Sequence, residues 1–310
     1  CDKGNSTKQS SYLQTERRKS LKWIDFTSPK TLAEAVALLA ENGDKARVLA
    51  GGTDLLVQLR GGRRQPDVVV DGKSIPELNE ITLKPDGSLT LGAAVPCYKI
   101  YSNDNIRKSY SGLIDSATLI GGTQIQGRAS IGGNLCNAAP SGDSIPILIA
   151  LGATCNITGP NGTRNVPVES FCTAPRRNVL QPGELLESLH FPSPAQNSGA
   201  HYMRFIPRNE MDIAVAGAGV SVTLENDTFT SARIALASVA PTPLFVKEAG
   251  EALIGKPVND DSIQIAANIA REAAQPISDM RGTIEHRKQL CEVLTKRALK
   301  IAVERTKEAN

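Results

Sequence analysis

Two glycine-rich segments of this 310-residue chain have the composition of anion-binding loops. The first reads Ala-Gly-Gly-Thr-Asp at residues 50–54 and lies between a short apolar stretch, 47–49, and a segment with helical character, 55–59. Glycine lets successive N–H groups turn toward one concave face, and a following helix start adds unpaired N–H donors. Such a turn can hold a diphosphate group, with the Thr53 hydroxyl as a further donor; an ordinary structural turn is the alternative.

The second segment, residues 130–144, reads Ser-Ile-Gly-Gly-Asn-Leu-Cys-Asn-Ala-Ala-Pro-Ser-Gly-Asp-Ser. It is dense in small and polar residues, yet apolar segments that we predict to be helical flank it at residues 113–120 and 144–151. This arrangement leaves room for a flat ligand to lie against the backbone, with amides and hydroxyls for its polar edges. Asp143 either accepts hydrogen bonds from a ribose or caps the helix that follows.

Neither segment matches the most familiar nucleotide-binding motifs. No Lys-Ser/Thr pair follows the glycines, as a Walker loop requires, and the spacing is not that of the Rossmann fingerprint. The three histidines, His190, His201 and His286, are scattered along the chain, so the sequence predicts no acid–base catalytic group.

Composition limits the class of protein. The net charge of +3 is too small to indicate a nucleic-acid partner. The longest apolar stretch, residues 145–155, is interrupted by Pro146 and Gly152 and is too short for a transmembrane segment. Six cysteines contain no CxxC pair, which predicts free thiols, no metal bound by this chain, and a reducing, cytoplasmic location.

The patterns predict an α+β fold with two domains. We expect a mobile N-terminal tail over residues 1–21, a ligand-binding domain over 22–195 with a subdomain boundary near residue 75, and a C-terminal domain over 198–310. A Pro/Ser/Gly-rich stretch at 192–199 is typical of a linker. Beyond it we predict three long strands at 202–206, 214–224 and 229–239, then helices near 245–254, 260–274 and 284–305.

On these motifs the chain resembles the FAD-binding medium subunit of the molybdenum hydroxylases, the family of carbon monoxide dehydrogenase and xanthine dehydrogenase. The resemblance runs from about residue 22 to the C-terminus. Its markers, in family order, are residues 50–55, 124–134, 140–143 and 207–214.

The resemblance implies an FAD-binding fold of two α/β subdomains, followed by a C-terminal domain of a three-stranded antiparallel sheet with helices. The FAD diphosphate would be wrapped by Leu49, Ala50, Gly51, Gly52, Thr53, Asp54 and Leu55. The isoalloxazine and diphosphate would lie near Ser130, Ile131, Gly132, Gly133 and Asn134. Asp143 matches a position that contacts the adenosine part, and Leu186, Arg204 and Ile120 match further flavin-contacting positions.

The resemblance also implies a place in an electron-transfer chain. The partners would be a large subunit with molybdopterin, where the substrate is oxidised, and a small subunit with [2Fe-2S] clusters. Electrons would pass from those clusters through FAD to an acceptor such as NAD or a quinone. No cysteine group or long insertion precedes residue 130, so no iron–sulfur cluster is expected in this chain.

Two other interpretations stay open at this point. The chain could be a stand-alone FAD-dependent oxidoreductase of the same flavin fold, which would need substrate-binding groups in the same chain. It could also be a structural scaffold without flavin, although the intact glycine loops argue against that. Cys136 is close enough to the second loop for covalent flavin attachment to be considered, but we expect the flavin to be non-covalent.

Overall fold

The computed structural model describes residues 23–308. The N-terminal subdomain of the protein contains a sheet of three short parallel strands. The mobile tail predicted over residues 1–21 lies outside the described residues. The elements are β1 (Asp25–Thr27), α1 (Leu32–Asn42), β2 (Ala46–Leu49), α2 (Leu55–Arg60) and β3 (Val68–Asp71), and the sheet order is β1-β3-β2. Thr31 caps α1 by accepting a hydrogen bond from the Glu34 amide at 3.2 Å, and the Glu34 carboxylate accepts one from the Lys30 amide.

The second subdomain is a five-stranded antiparallel sheet with helices. Its elements are β4 (Ile81–Leu83), β5 (Leu89–Gly92), α3 (Cys97–Tyr101), α4 (Asp104–Ser109), α5 (Ser111–Ala117), α6 (Thr123–Gln126), α7 (Ile131–Asn137), α8 (Ile145–Ala150), β6 (Thr154–Gly159), β7 (Gly162–Pro167), β8 (Cys172–Ala174), β9 (Arg177–Asn178) and β10 (Leu185–Phe191). The order is β4-β5-β10-β6-β7, and the short strands β8 and β9 form a separate hairpin. The Pro85-Asp86-Gly87 turn between two short apolar segments predicts a hairpin, and the β4–β5 pair confirms it.

The C-terminal part of the chain has an antiparallel sheet that contains the three predicted long strands and a fourth, short strand that was not predicted. Its elements are β11 (Ser198–Phe205), β12 (Ala216–Glu225), β13 (Thr228–Ala237), β14 (Leu244–Phe245), α9 (Lys247–Glu251), α10 (Asp260–Ala273) and α11 (Ile284–Glu308), with sheet order β11-β12-β13-β14. The extra strand has two residues, too few to show an alternating pattern in a sequence. Pro243 directly precedes the strand, and the Arg233 guanidinium lies 4.3 Å from the centre of the Phe245 ring.

Helix α8 lies between the hydrophobic core of the second subdomain and the C-terminal sheet. All six of its residues are buried, which fits a helix that is apolar on every side. It contacts β12 so closely that a Cβ on Gly219 would come within 2.5 Å of the Pro146 backbone carbon. The ligand-binding part and the C-terminal sheet are therefore packed directly against one another.

An ion-pair cluster also joins these two parts of the chain. The Asp115 carboxylate, on α5, accepts hydrogen bonds from His201 Nδ1 on β11 at 2.6 Å and from Arg305 on α11 at 2.6 and 2.8 Å. Arg305 also donates to the Ala200 carbonyl at 2.7 Å, and the Tyr202 amide donates to Asp115 at 3.2 Å. One carboxylate thus holds α5, β11 and α11 together.

Replacing Asp115 by asparagine should lower the free energy of unfolding at pH 7 by about 2–3 kcal/mol, because Arg305 would lose its charged partner in a largely buried position. Burial tends to raise the pKa of Asp115, but hydrogen bonds from Arg305 and His201 outweigh burial and hold it below its usual value. A lowered pKa in the folded state means that the contribution is present above about pH 4 and is lost as the pH falls below it. Urea unfolding at pH 7 and pH 3.5 should show the difference from the unsubstituted protein shrinking in acid.

The matched control is Asp227→Asn, in the exposed β12–β13 turn. Residue 227 has a φ of +54°, a conformation that asparagine also adopts readily. This variant should unfold like the unsubstituted protein at both pH values. A D115N variant as stable as D227N at pH 7 would show that the cluster contributes nothing to stability.

Candidate functional site

A cleft of about 540 Å³ is lined by both subdomains. Its volume is in the usual range for small-molecule sites, about 300–1,000 Å³. Three stretches of chain supply most of the walls: the loop at 50–55 between β2 and α2, the residues around the start of α7, and the segment 173–186 that includes the β8–β9 hairpin.

Most of the residues proposed from the sequence meet in this cleft. Its lining includes Ala50, Gly51, Gly52, Thr53, Asp54, Leu55, Ile120, Ser130, Gly132, Gly133, Asn134 and Leu186. The structure does not bring Leu49, Ile131, Asp143 and Arg204 to the lining. Their direct contact with a cofactor stays a prediction.

The first glycine loop rests directly on the backbone that precedes the second. A Cβ on Gly51 would lie 2.1 Å from the Arg128 carbonyl oxygen, so only glycine fits there. In return, Arg128 Nε donates a hydrogen bond to the Gly51 carbonyl at 3.0 Å. Gly52 has a φ of +79°, which turns the chain toward α2. The two loops therefore form one continuous surface, although 77 residues separate Gly51 from Arg128.

The second loop is held by a helix cap and by a close backbone contact. Ser130 Oγ accepts a hydrogen bond from the Gly133 amide at 3.0 Å and so starts α7. A Cβ on Gly132 would come within 2.5 Å of the Ala93 carbonyl oxygen. The Asn134 side chain accepts a hydrogen bond from Ser144 Oγ at 2.7 Å, which fixes its orientation in the cleft wall.

The chemistry of the cleft suits a dinucleotide with a flat ring and a diphosphate. Within the described part of the chain, the amides of Gly52, Thr53 and Asp54 donate no hydrogen bond to protein, as is usual where a helix begins. Apolar side chains form another part of the wall: Leu39, Leu78, Ala93, Ala94, Ile120 and Leu186. Four arginines also line the cleft: Arg47, Arg64, Arg176 and Arg177. N–H donors and guanidinium groups bind phosphate oxygens, and the apolar wall accommodates a ring.

The Asp143 side chain is hydrogen-bonded to strand β11 rather than to the helix that follows it. Its carboxylate accepts hydrogen bonds from the Tyr202 hydroxyl at 2.8 Å and from Arg204 at 2.5 Å, both on β11. It does not cap α8, so that alternative was wrong. Burial raises the pKa of Asp143 to about 6, although Arg204 and Tyr202 favour its charged form. Nε of Arg204 is buried and has no hydrogen-bond partner among the described residues.

The segment 173–186 was missed by the sequence argument, apart from Leu186. It contains the turn Pro175-Arg176-Arg177 and contributes two of the four cleft arginines. The pair of adjacent arginines in a turn was the only available signal, and without a glycine motif or a periodic pattern it did not indicate a site.

Three further points from the sequence concern a cysteine thiol, a metal site and a membrane span. The Cys136 side chain lines the cleft, and burial raises the pKa of its thiol to about 12. Across residues 23–308, no set of three or more His, Cys, Asp or Glu side chains is placed to bind a metal ion. In the same range, no helix has both the length and the apolar character of a membrane span.

Comparison with known proteins gives consistent matches over nearly the whole chain. Residues 20–194 match the family described as FAD binding domain in molybdopterin dehydrogenase, and residues 201–302 match CO dehydrogenase flavoprotein C-terminal domain. The xanthine dehydrogenase FAD-binding subunit of Escherichia coli O157:H7 is 34% identical, with 90% of this chain and 97% of the relative covered. The carbon monoxide dehydrogenase medium chain of Afipia carboxidovorans is 32% identical, with 92% and 98% covered.

Solved structures give the same result. A chain of reconstituted CO dehydrogenase from Oligotropha carboxidovorans superposes with a TM-score of 0.88 at 32% identity, covering 92% of this chain and 99% of the other. A chain of quinoline 2-oxidoreductase from Pseudomonas putida 86 superposes with a TM-score of 0.85 at 26% identity, covering 92% and 98%.

Proposed function

Because this chain belongs to the family of FAD-binding subunits of the molybdenum hydroxylases, we propose that it passes electrons from iron–sulfur clusters of a partner subunit through FAD to a separate acceptor. It is an oxidoreductase subunit whose cofactor is FAD, and bound FAD supplies the redox chemistry. The observation that carries the proposal is the contact of two glycine loops at one cleft, where Gly51 and Arg128 meet.

The residues of this chain would bind and orient the cofactor. The amides of the first loop, residues 49–55, would donate hydrogen bonds to the diphosphate, and Ser130–Asn134 would lie beside the isoalloxazine and diphosphate. Leu186 and Ile120 would pack on the ring, since both belong to the apolar wall. Asp143 and Arg204 are hydrogen-bonded to each other and are not among the residues of the cleft lining. Asp143 would contact the adenosine part of the cofactor, and Arg204 would contact the flavin. The division at 22–195 and 198–310 belongs to the same proposal, and the change of matched family between residues 194 and 201 supports it.

The partners belong to the proposal as well. They are a small subunit with [2Fe-2S] clusters and a large subunit with molybdopterin, and the acceptor is NAD or a quinone. We place the complex in the cytoplasm, which unpaired cysteines support: Cys97, Cys136, Cys155, Cys172 and Cys291 are all free thiols.

The purified full chain should take up FAD, show a flavin absorption spectrum, and release the flavin into the supernatant on denaturation. Release is expected because the thiol nearest the second loop, Cys136, is protonated: burial raises its pKa to about 12. Absorbance of the supernatant and of the precipitated protein measures the two fractions. A protein that takes up no FAD would contradict the proposal, and flavin retained in the precipitate would contradict non-covalent binding.

The electron-transfer role needs the assembled complex. Reducing substrate should bleach the flavin only when the small iron–sulfur and large molybdopterin subunits are present. Substrate-dependent bleaching of the isolated chain would instead favour a stand-alone oxidoreductase.

A further inference from the structure

We propose that Arg176, on the turn between β8 and β9, binds the diphosphate of FAD from the second subdomain, opposite the amides of the first glycine loop. This inference rests on the FAD-binding function proposed above. It adds a third stretch of chain to a site that the sequence motifs place on two.

The backbone at Arg176 is fixed in a conformation that is rare for a residue with a side chain. Its φ is +62°, and its amide donates a hydrogen bond to the Ala138 carbonyl at 2.8 Å. Ala138 ends α7 and is itself left-handed, with a φ of +47°. Asn178, two residues after Arg176, donates a side-chain hydrogen bond to the Cys136 carbonyl at 2.9 Å. The turn is thus attached to the second glycine loop's helix, and such a constrained backbone is a common feature of binding sites.

The guanidinium of Arg176 is available to a ligand. Arg176 is an exposed residue of the cleft lining, and its guanidinium makes no hydrogen bond or ion pair to any side chain or carbonyl of the described residues. Two other arginines of the cleft already donate to protein: Arg47 to the Asp44 carbonyl at 2.8 Å, and Arg64 to the Gln58 side chain at 2.8 Å. Arg176 therefore offers the full set of guanidinium donors.

Charge distinguishes Arg176 from its neighbour Arg177, which also lines the cleft. Burial raises the pKa of Asp54, in the first glycine loop, and the positive charge of Arg176 opposes that rise. The guanidinium is thus close enough to act on the loop that would hold the diphosphate. Arg177 is not among the charges that act on Asp54.

The first loop requires a cation of this kind. A diphosphate carries negative charge, and the loop itself brings the Asp54 carboxylate to the same wall of the cleft. Without Arg176, the backbone N–H groups of the loop and the other arginines of the cleft would have to offset both. A planar guanidinium can donate two hydrogen bonds to phosphate oxygens and lower the repulsion from Asp54.

The test is titration of FAD into the flavin-free full chain, followed by flavin fluorescence, at low and high NaCl concentration. The variants are Arg176→Ala and Arg176→Gly, with Arg297→Ala on the exposed face of α11 as the control for loss of one positive charge. Glycine adopts a positive φ without strain, so Arg176→Gly removes the side chain, with its guanidinium, and keeps the turn. Both Arg176 variants should bind FAD about tenfold or more weakly, with a smaller salt dependence, and Arg297→Ala should bind normally.

The Arg176→Gly variant decides the proposal. Binding of FAD as tight as in the unsubstituted chain would overturn it. Weaker binding with an unchanged salt dependence would also overturn it, because the residue would then act through the turn rather than through its charge. If the unsubstituted chain itself took up no FAD, the proposed function would fail instead.

Discussion

Replacing Gly51 by alanine is expected to destabilise the chain by about 3 kcal/mol and to weaken FAD binding by about 100-fold or more. The added Cβ would lie 2.1 Å from the Arg128 carbonyl oxygen, and neighbouring backbone atoms lie within 2.9 Å. Backbone cannot move aside as a flexible side chain would, so the first loop must lift away from the second. The hydrogen bond from Arg128 to the Gly51 carbonyl would be lost in the same movement.

Gly127→Ala is the matched control for this variant. Gly127 ends α6 in the same region, has a φ of −62°, and a Cβ there would have its nearest neighbour at an ordinary 3.6 Å. Urea unfolding of the flavin-free protein gives the stability, and FAD titration gives the affinity. The close contact at Gly51 would be disproved if G51A and G127A matched in both measurements.

Replacing Arg204 by methionine should cost about 3–5 kcal/mol at pH 7.5, because it leaves Asp143 buried without its cationic partner. The double variant Asp143→Asn, Arg204→Met should recover much of that loss, since no charge then stays buried and the asparagine oxygen still accepts from Tyr202. Measuring the flavin-free protein separates this effect on folding from any contact of Arg204 with FAD.

The loss should also depend on pH. Burial raises the pKa of Asp143 to about 6 even with Arg204 present, and removal of Arg204 should raise it further. A folded-state pKa above the unfolded value of about 3.9 means that protonation favours the folded state as the pH falls. The destabilisation of R204M should therefore be smaller at pH 5 than at pH 7.5. That of the double variant should instead grow by about 1 kcal/mol, because only the unsubstituted protein gains stability from protonating Asp143. Equal losses for R204M at both pH values would refute a buried, charged Asp143.

Local signals predicted much of the fold and part of the site. Thr31 and Glu34 mark the start of α1, and the turn at Gly87 marks a hairpin, because caps and turns depend on residues a few positions apart. The glycine loops were visible for the same reason. The contact between Gly51 and Arg128 was not, since it joins residues 77 positions apart.

The misses have physical causes too. The helix-cap alternative for Asp143 was wrong because its protein partners, Tyr202 and Arg204, come 59 and 61 residues later in the chain. Its contact with the adenosine part of FAD stays a prediction. Arg176 carries no motif, and its positive φ depends on a hydrogen bond to Ala138 that only the tertiary structure provides.

Strand β11 has a consequence for how the chain can be divided. Two of its side chains bind carboxylates of the preceding part of the protein: His201 contacts Asp115, and Arg204 forms an ion pair with Asp143. A chain cut between residues 195 and 198 would leave both acids without those partners and would uncover the apolar helix α8. The FAD-binding part produced alone is therefore expected to be less stable than the same residues in the full chain. The C-terminal sheet supplies the cations and the apolar contacts that this part cannot provide for itself.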